Sequence, residues 1–292
     1  MRINKFCLAV NFISIFCLLF FTACAGTGSK LHEEKTAGFT KAQHLVFIGL
    51  DGWGGSYTSR AEMPTAKRMM AAGSFTLKAR CIMPSNSLPN WLALFNGTPP
   101  EHIDSEQYPS IFTIINNSEH AGKAVFFYEW SELGDICTDD VSEKQTILSD
   151  MESAQKIGAY IKETKPVFTA VVFNEPDSIG HNHRWGSEQY YAKLGELDSY
   201  IAIIEQAVKD AGIYDNTIFV LSSDHGGTFW GHGFNLIKQR RIPLVVYGAG
   251  IKEGYVIPAS KSICDIAPTM AFILGLDIPL EWKGKPIMEI FK

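Results

Sequence analysis

The chain has too few cysteines, too widely spread, to be a disulfide-stapled scaffold. There are six in 292 residues: Cys7, Cys17, Cys24, Cys81, Cys137 and Cys264. The first two lie in the apolar leader, and Cys24 closes it. Cys81, Cys137 and Cys264 remain, an odd set that reads as small buried apolar side chains. A basic patch is also lacking. Lys and Arg number 26 against 31 Asp and Glu, a net charge of -5, so nucleic-acid binding is not expected. There is no internal repeat and no sign of a second domain. Apolar residues at 46% and charged residues at 20% are those of an ordinary globular protein. What is plentiful is glycine, 25 residues, as suits a single domain with many tight strand-to-helix turns.

No apolar run is long enough to read securely as a membrane span. Phe6 to Phe21, interrupted by Asn11, falls short of the roughly 20 residues that cross a bilayer. Arg2 and Lys5 precede this run, and Thr22, Ala23 and Cys24 follow it. A positive start, a short apolar core and small residues before a cut describe a secretory signal; the competing reading is a permanent anchor helix. Phe21-Thr22-Ala23-Cys24 resembles a bacterial lipobox, which implies cleavage before Cys24 and acylation of its thiol. Residues 1–23 are then a lipoprotein signal peptide. Residues 24–43, with Gly26, Gly28, Ser29, Glu33, Glu34 and Lys35, read as a flexible tether. The expected location is the cell envelope, periplasmic or on the outer surface, held to the membrane by lipid.

The fold is expected over residues 44–292. Leu45 to Leu50 is a continuous apolar run ending at Asp51-Gly52, the pattern of a strand buried on both faces of a parallel sheet. Further strands are expected at Ala124–Tyr128, Val167–Phe173, Thr217–Leu221 and Leu244–Tyr247. Helices are expected at Met63–Ala72, Ser87–Asn96, Ser110–Asn116, Glu143–Glu163, Glu188–Ala211 and Ile266–Leu274. In the long one, Leu194, Leu197, Ile201 and Ile204 recur at helical spacing. Such alternation argues for an α/β fold: one doubly wound, mostly parallel sheet flanked by helices.

Sites in such sheets lie beyond the carboxyl ends of the strands. Asp51 follows the first strand, though alone it is as well explained as a turn former before glycine. Asp177 and His181 follow the strand ending at Phe173, with His183 close behind. Oxygen and nitrogen donors of this kind suit Zn²⁺ or Mn²⁺; the competing reading is a surface loop with chance histidines. Ser223-Asp224-His225-Gly226-Gly227, continuing to Gly231-His232-Gly233, follows Leu221. A buried strand rarely ends in adjacent Asp and His with two glycines unless something binds there. Ser87 opens an apolar helix, where it is either an N-cap or a group placed to meet an anion.

Together, Gly49-Leu50-Asp51-Gly52, Ser87-Leu88-Pro89-Asn90, Pro176-Asp177 with Gly180-His181, and Ser223-Asp224-His225-Gly226 resemble the alkaline phosphatase superfamily. The nearest branch is the type I phosphodiesterase/nucleotide pyrophosphatase group, in a compact bacterial lipoprotein form. Asp265 to Thr269 and Trp282 to Pro286 look like its closing helix and turn. The resemblance implies two divalent metal ions, zinc with manganese as the alternative. One ion would be held by Asp51, Asp224, His225 and the Ser87 oxygen, the other by Asp177, His181 and His232. His183 and His102 are fallback ligands for His232. Ser87 would be the nucleophile and form a phosphoryl-enzyme, while Asn90 would bind a nonbridging oxygen.

Departures from relatives narrow the activity. Sulfatases carry an arginine two residues after the proline of their nucleophile motif; here Trp91 follows Asn90. No arginine adjoins Ser87 to grip a monoester dianion, although Arg184 and Lys78 are within conceivable reach. The expectation is therefore a phosphodiesterase or nucleotide pyrophosphatase acting on a small phosphoester, nucleotide or head-group-like. Trp91, Trp130 and His183 are the candidate substrate contacts, with Trp185 and Trp230 as further stacking surfaces. A phosphomonoesterase, a sulfatase or phosphonate hydrolase, and a non-catalytic binding lipoprotein on the same scaffold are the alternatives.

Overall fold

A computed structural model describes residues 42–102, 109–118, 122–136 and 141–292. The leader, Cys24, nearly all of the tether and Cys137 lie outside the described residues.

β1 (His44–Leu50) is the central strand. It pairs in parallel with β5 (Phe168–Phe173) on one side and β6 (Thr217–Ser222) on the other. Outside β5 come β3 (Ala124–Tyr128) and then β4 (Glu143–Thr146). Outside β6 come β7 (Arg241–Gly248), β2 (Ser74–Arg80) and β8 (Tyr255–Val256), giving the order β4-β3-β5-β1-β6-β7-β2-β8. β7 alone runs against its neighbours. The mostly parallel sheet expected from the buried apolar runs is therefore present.

Side chains alternate across β1. Leu45 and Phe47 enter one buried cluster, and Val46, Ile48 and Leu50 enter the other, so both faces must be covered. The first face packs on α2 (Ser87–Asn96), α3 (Ile111–Asn116) and α9 (Ile266–Leu274), through residues such as Trp91, Phe95, Phe112 and Met270. The second packs on α1 (Pro64–Ala71), α5 (Met151–Thr164) and α7 (Glu188–Asp210), through Met69, Ile157, Leu194, Leu197, Ile201 and Ile204. α7 starts where the Ser187 hydroxyl accepts from the Tyr190 N–H, a side-chain cap. α2 stops at Gly97, whose φ of 59° is left-handed. A Cβ there would also lie 2.8 Å from the Trp282 ring, so the closing turn can dock only against glycine. Lys283 and Gly284 both donate to the Gly97 carbonyl, and Asp265 accepts from Lys285 N–H.

One expectation is corrected. Glu143–Glu163 is not one helix. Glu143–Thr146 is edge strand β4, in register with Val125–Tyr128, and the helix begins only after Asp150, whose carboxylate accepts from Ser153 N–H at 2.7 Å. Polar Glu-Lys-Gln-Thr carries no apolar alternation, so its strand state comes from the neighbouring ladder. Ser74–Arg80 forms strand β2. Asp177–His183 forms helix α6. α4 (Ser131–Ile136) and α8 (Ile237–Arg240) complete the helices of the described residues.

Phe47 meets Trp91 and Phe95 edge-on, at 6.4 and 5.5 Å between ring centroids, and so ties β1 to α2. Phe47→Ala should cost about 3–5 kcal/mol, seen as a lower midpoint in urea denaturation with an unchanged slope.

Candidate active site

The carboxyl ends of β1, β5 and β6 bring three aspartates together. Asp51 follows β1, Asp177 opens α6 after β5, and Asp224 lies two residues beyond β6. Asp51 and Asp224 are fully buried and Asp177 nearly so. Gly52 allows the approach. Its φ is 71°, a Cβ on it would stand 2.9 Å from Asp177, and its N–H donates to Asp224 Oδ1 at 3.1 Å. Its carbonyl accepts from Trp185 Nε1 and the Tyr190 hydroxyl, which fixes the turn from behind.

Burial drives all three carboxyls upward. Asp51 stands well above the ordinary range, first by desolvation and then by the neighbouring Asp224. Desolvation, then Asp51 and Glu175, pushes Asp177 to about 9, and desolvation pushes Asp224 to about 7. Among the described residues, no lysine or arginine lies within 4.0 Å of these oxygens, and only histidines approach them so closely.

The histidines do not supply protons to them. His181 Nδ1 lies 2.9 Å from the Trp230 carbonyl, His232 Nδ1 2.8 Å from the Ser85 carbonyl, and His225 Nδ1 3.0 Å from the Gly226 carbonyl. A carbonyl only accepts, so each Nδ1 carries the proton and each Nε2 presents a lone pair. Those lone pairs converge. His181 and His232 Nε2 stand 3.1 Å apart, at 3.4 and 3.7 Å from the Asp177 oxygens. His225 Nε2 lies 3.2 Å from Asp224 Oδ2 and 3.6 Å from Asp51 Oδ1. Desolvation holds the His225 imidazole below its usual value and takes His232 to about 3, which keeps both neutral. Asp177 Oδ1 and Asp224 Oδ2 are buried without a hydrogen-bond donor. Facing lone pairs and orphaned carboxylate oxygens need a cation between them, so the residues present fit divalent metal. Two groups are close enough to hold one: Asp177, His181 and His232, and Asp51, Asp177 and His225.

Ser87 is the first residue of α2, and the preceding Asn86 makes no side-chain cap. Its hydroxyl lies 3.3 Å from Asp51 Oδ1 and 3.0 Å from His225 Nε2. It therefore faces the cluster rather than capping its own helix.

Two site assignments need correcting. Asn90 is fully buried and its amide is committed. It donates to the Pro84 and Asn86 carbonyls and accepts from Ile82 N–H, so it shapes the loop before Ser87 and does not face a substrate oxygen. Trp91 is equally buried. Its Nε1 donates to Asp51 Oδ2 at 2.9 Å, so it orients a carboxylate and offers no stacking surface. Trp130 packs partly against the core. His183 is exposed at the end of α6 and joins neither cluster, six positions from Asp177 on the helix. Arg184 lies over the Trp230 ring at 5.7 Å.

Gln239 was not singled out from the sequence. Its buried amide accepts from Phe234 N–H and donates to Thr228 Oγ1 and the Gly231 carbonyl. It thereby fastens the loop that carries His232. A lone glutamine in a polar stretch gives no sequence signal of this role.

The fold is that of the alkaline phosphatase superfamily, whose members use divalent metals. The chain belongs to the type I phosphodiesterase/nucleotide pyrophosphatase family, whose family model matches residues 45–103 and 119–241. It is 27% identical over 230 residues to GPI ethanolamine phosphate transferase 1 of Emericella nidulans, covering 68% of this chain and 24% of that protein. It is 26% identical over 207 residues to arylsulfatase K of Rattus norvegicus, covering 68% and 35%. The chain thus spans a quarter to a third of the length of these curated relatives. Among solved structures, murine ectonucleotide pyrophosphatase/phosphodiesterase 5 in complex with AMP superposes with a TM-score of 0.70 at 14% identity, covering 86% of this chain and 100% of that one. A putative sulfatase from Bacteroides thetaiotaomicron also gives 0.70, at 15% identity, covering 85% and 74%. At such identities the likeness is one of fold.

Trp91→Phe keeps an aromatic ring but removes the donor to Asp51 and leaves part of the buried indole site empty. It should lower metal affinity about 10–100-fold and also lower the melting temperature, as read by metal titration of the folded protein and thermal unfolding. The raised carboxyl values also fix a sign. Folded Asp177 and Asp224 bind protons more tightly than the unfolded chain, whose aspartates titrate near 3.8. Their proton-linked stability is full below about pH 4 and is lost as pH rises through their folded values of about 7 and 9. Chelator-treated protein should therefore melt at progressively lower temperature over that window, and added Zn²⁺ should flatten the slope.

Proposed function

We propose that this chain is a two-metal phosphodiesterase or nucleotide pyrophosphatase that works through a phosphorylated Ser87. The observation that carries the reading is the Ser87 hydroxyl set between Asp51 and His225, inside a buried carboxylate and imidazole cluster. Asp51, Asp224, His225 and Ser87 would hold one ion, and Asp177, His181 and His232 the other. Two such ions, zinc by the donor set, would supply Lewis acidity when bound and would lower the pKa of the nucleophile.

The chain's own residues do the rest. Ser87 stands at the start of α2, where unpaired backbone N–H groups favour an anion. Its hydroxyl donates toward Asp51 Oδ1, so loss of that proton leaves the nucleophilic oxygen beside the bound phosphoryl group. Attack forms the Oγ–P bond and breaks the bond to the leaving alcohol or phosphate, and water then cleaves phosphoserine. Trp91 holds Asp51, Trp185 and Tyr190 hold the Gly52 turn, and Gln239 holds the His232 loop. The diester preference is supported by the family and by the lack of arginine in Ser87-Leu88-Pro89-Asn90-Trp91. A sulfate-ester reading draws support from the sulfatase relatives, and the same missing arginine speaks against it. Export, lipidation at Cys24 and a place in the cell envelope belong to this proposal.

The purified protein should hydrolyse bis-p-nitrophenyl phosphate faster than p-nitrophenyl phosphate, and chelation should stop both reactions. A monoester preference would reassign it as a phosphatase. Ser87→Ala should abolish turnover while metal stays bound, since one ligand of several is lost; normal rates in that variant would remove the nucleophile assignment. Cys24→Ala should free the protein from membranes, and retained association would indicate an uncleaved apolar anchor.

A further inference from the structure

Away from the carboxylate cluster, three arginines line one cavity. β2 ends at Arg80 and β7 begins at Arg241, and the two are direct partners across the antiparallel pair. Like charges placed opposite each other on neighbouring strands repel. Arg240 precedes Arg241 at the end of α8. All three line a cavity of about 150 Å³ together with Asn235 and Ile237. That is below the size of a drug-like pocket and suits a small group.

Among the described residues, none of the three arginines has a carboxylate within 4.0 Å. Asn235 Oδ1 accepts from Arg240 Nη1 at 2.8 Å and orients that guanidinium, while its Nε is buried with no acceptor. A guanidinium held in place with an unmet buried N–H is arranged for an oxyanion. Ile237, which lines the cavity, is 64% exposed, and its chain neighbours Leu236 and Phe234 are 49% and 70% exposed, in the segment that Gln239 ties to the His232 loop. β2 and β7 meet here at the same end of the sheet as Asp51 and Asp224.

The geometry points to a second anion site, formed by Arg80, Arg240 and Arg241, that takes a phosphate or sulfate group. The exposed apolar segment gives a non-polar portion of the same ligand a surface to lie on, as the headgroup region of an anionic amphiphile would require. This site stands whether or not the catalytic reading holds.

The test uses the full-length protein with a chelator present, so that the carboxylate cluster holds no cation to attract anions. Titration with inorganic phosphate should show saturable binding, weakened at least about fivefold in Arg80→Gln and in Arg241→Gln, with thermal unfolding unchanged. The same proteins are then mixed with phosphatidylglycerol and with phosphatidylcholine vesicles. Any attachment through the N-terminal segment is common to wild type and variants. A preference for phosphatidylglycerol that both variants lose identifies a lipid headgroup as the ligand. Phosphate binding that the variants lose, without that lipid preference, identifies a soluble anion. Phosphate binding and vesicle association that are absent, or the same in wild type and both variants, overturn the proposal.

Discussion

The structure depends on burying three carboxylates with no fixed cation beside them. Asp51, Asp177 and Asp224 converge at one end of the sheet, and the imidazoles around them turn lone pairs inward because each Nδ1 proton is committed to a backbone carbonyl. Left to themselves these groups repel and must take up protons, which is what the raised carboxyl values express. Such an arrangement persists only where the surrounding fold over-determines it and where a cation resolves it.

Much of the neighbouring structure holds these groups in place. Trp91 is a core residue by packing, yet its one polar atom is spent on Asp51. Asn90 is polar by type, yet it is spent on the loop that presents Ser87. Trp185 closes the space behind Gly52 and stands edge-on to His181 at 5.0 Å between ring centroids. The hydrophobic faces of β1 therefore do more than stabilise the sheet. Through Phe47 and Trp91 they set the position of a carboxylate, so packing and chemistry share the same side chains.

Part of this was legible in the sequence. Asp51, Asp177 and Asp224 stand just after buried apolar runs; those runs located β1, β5 and β6, and helical spacing located α7, to within about two residues. Elements without an apolar signature were missed or misread. β4 is polar and owes its strand state to β3; β2 is half exposed and owes its own to β7. The functions of Asn90 and Trp91 were misread because residue type says which bonds a side chain can make, not which partner is nearest.

By itself the sequence determined the alternation of elements and the acids and imidazoles at strand ends. Those are local properties, carried by periodicity and by residue type. Tertiary structure alone decided which lone pairs face each other. It placed the Ser87 oxygen between Asp51 and His225, brought His232 against His181 across 51 positions of chain, and set Arg80 beside Arg241. Such pairings join residues far apart in the chain. They follow from the packing of whole elements, which no short stretch of sequence encodes.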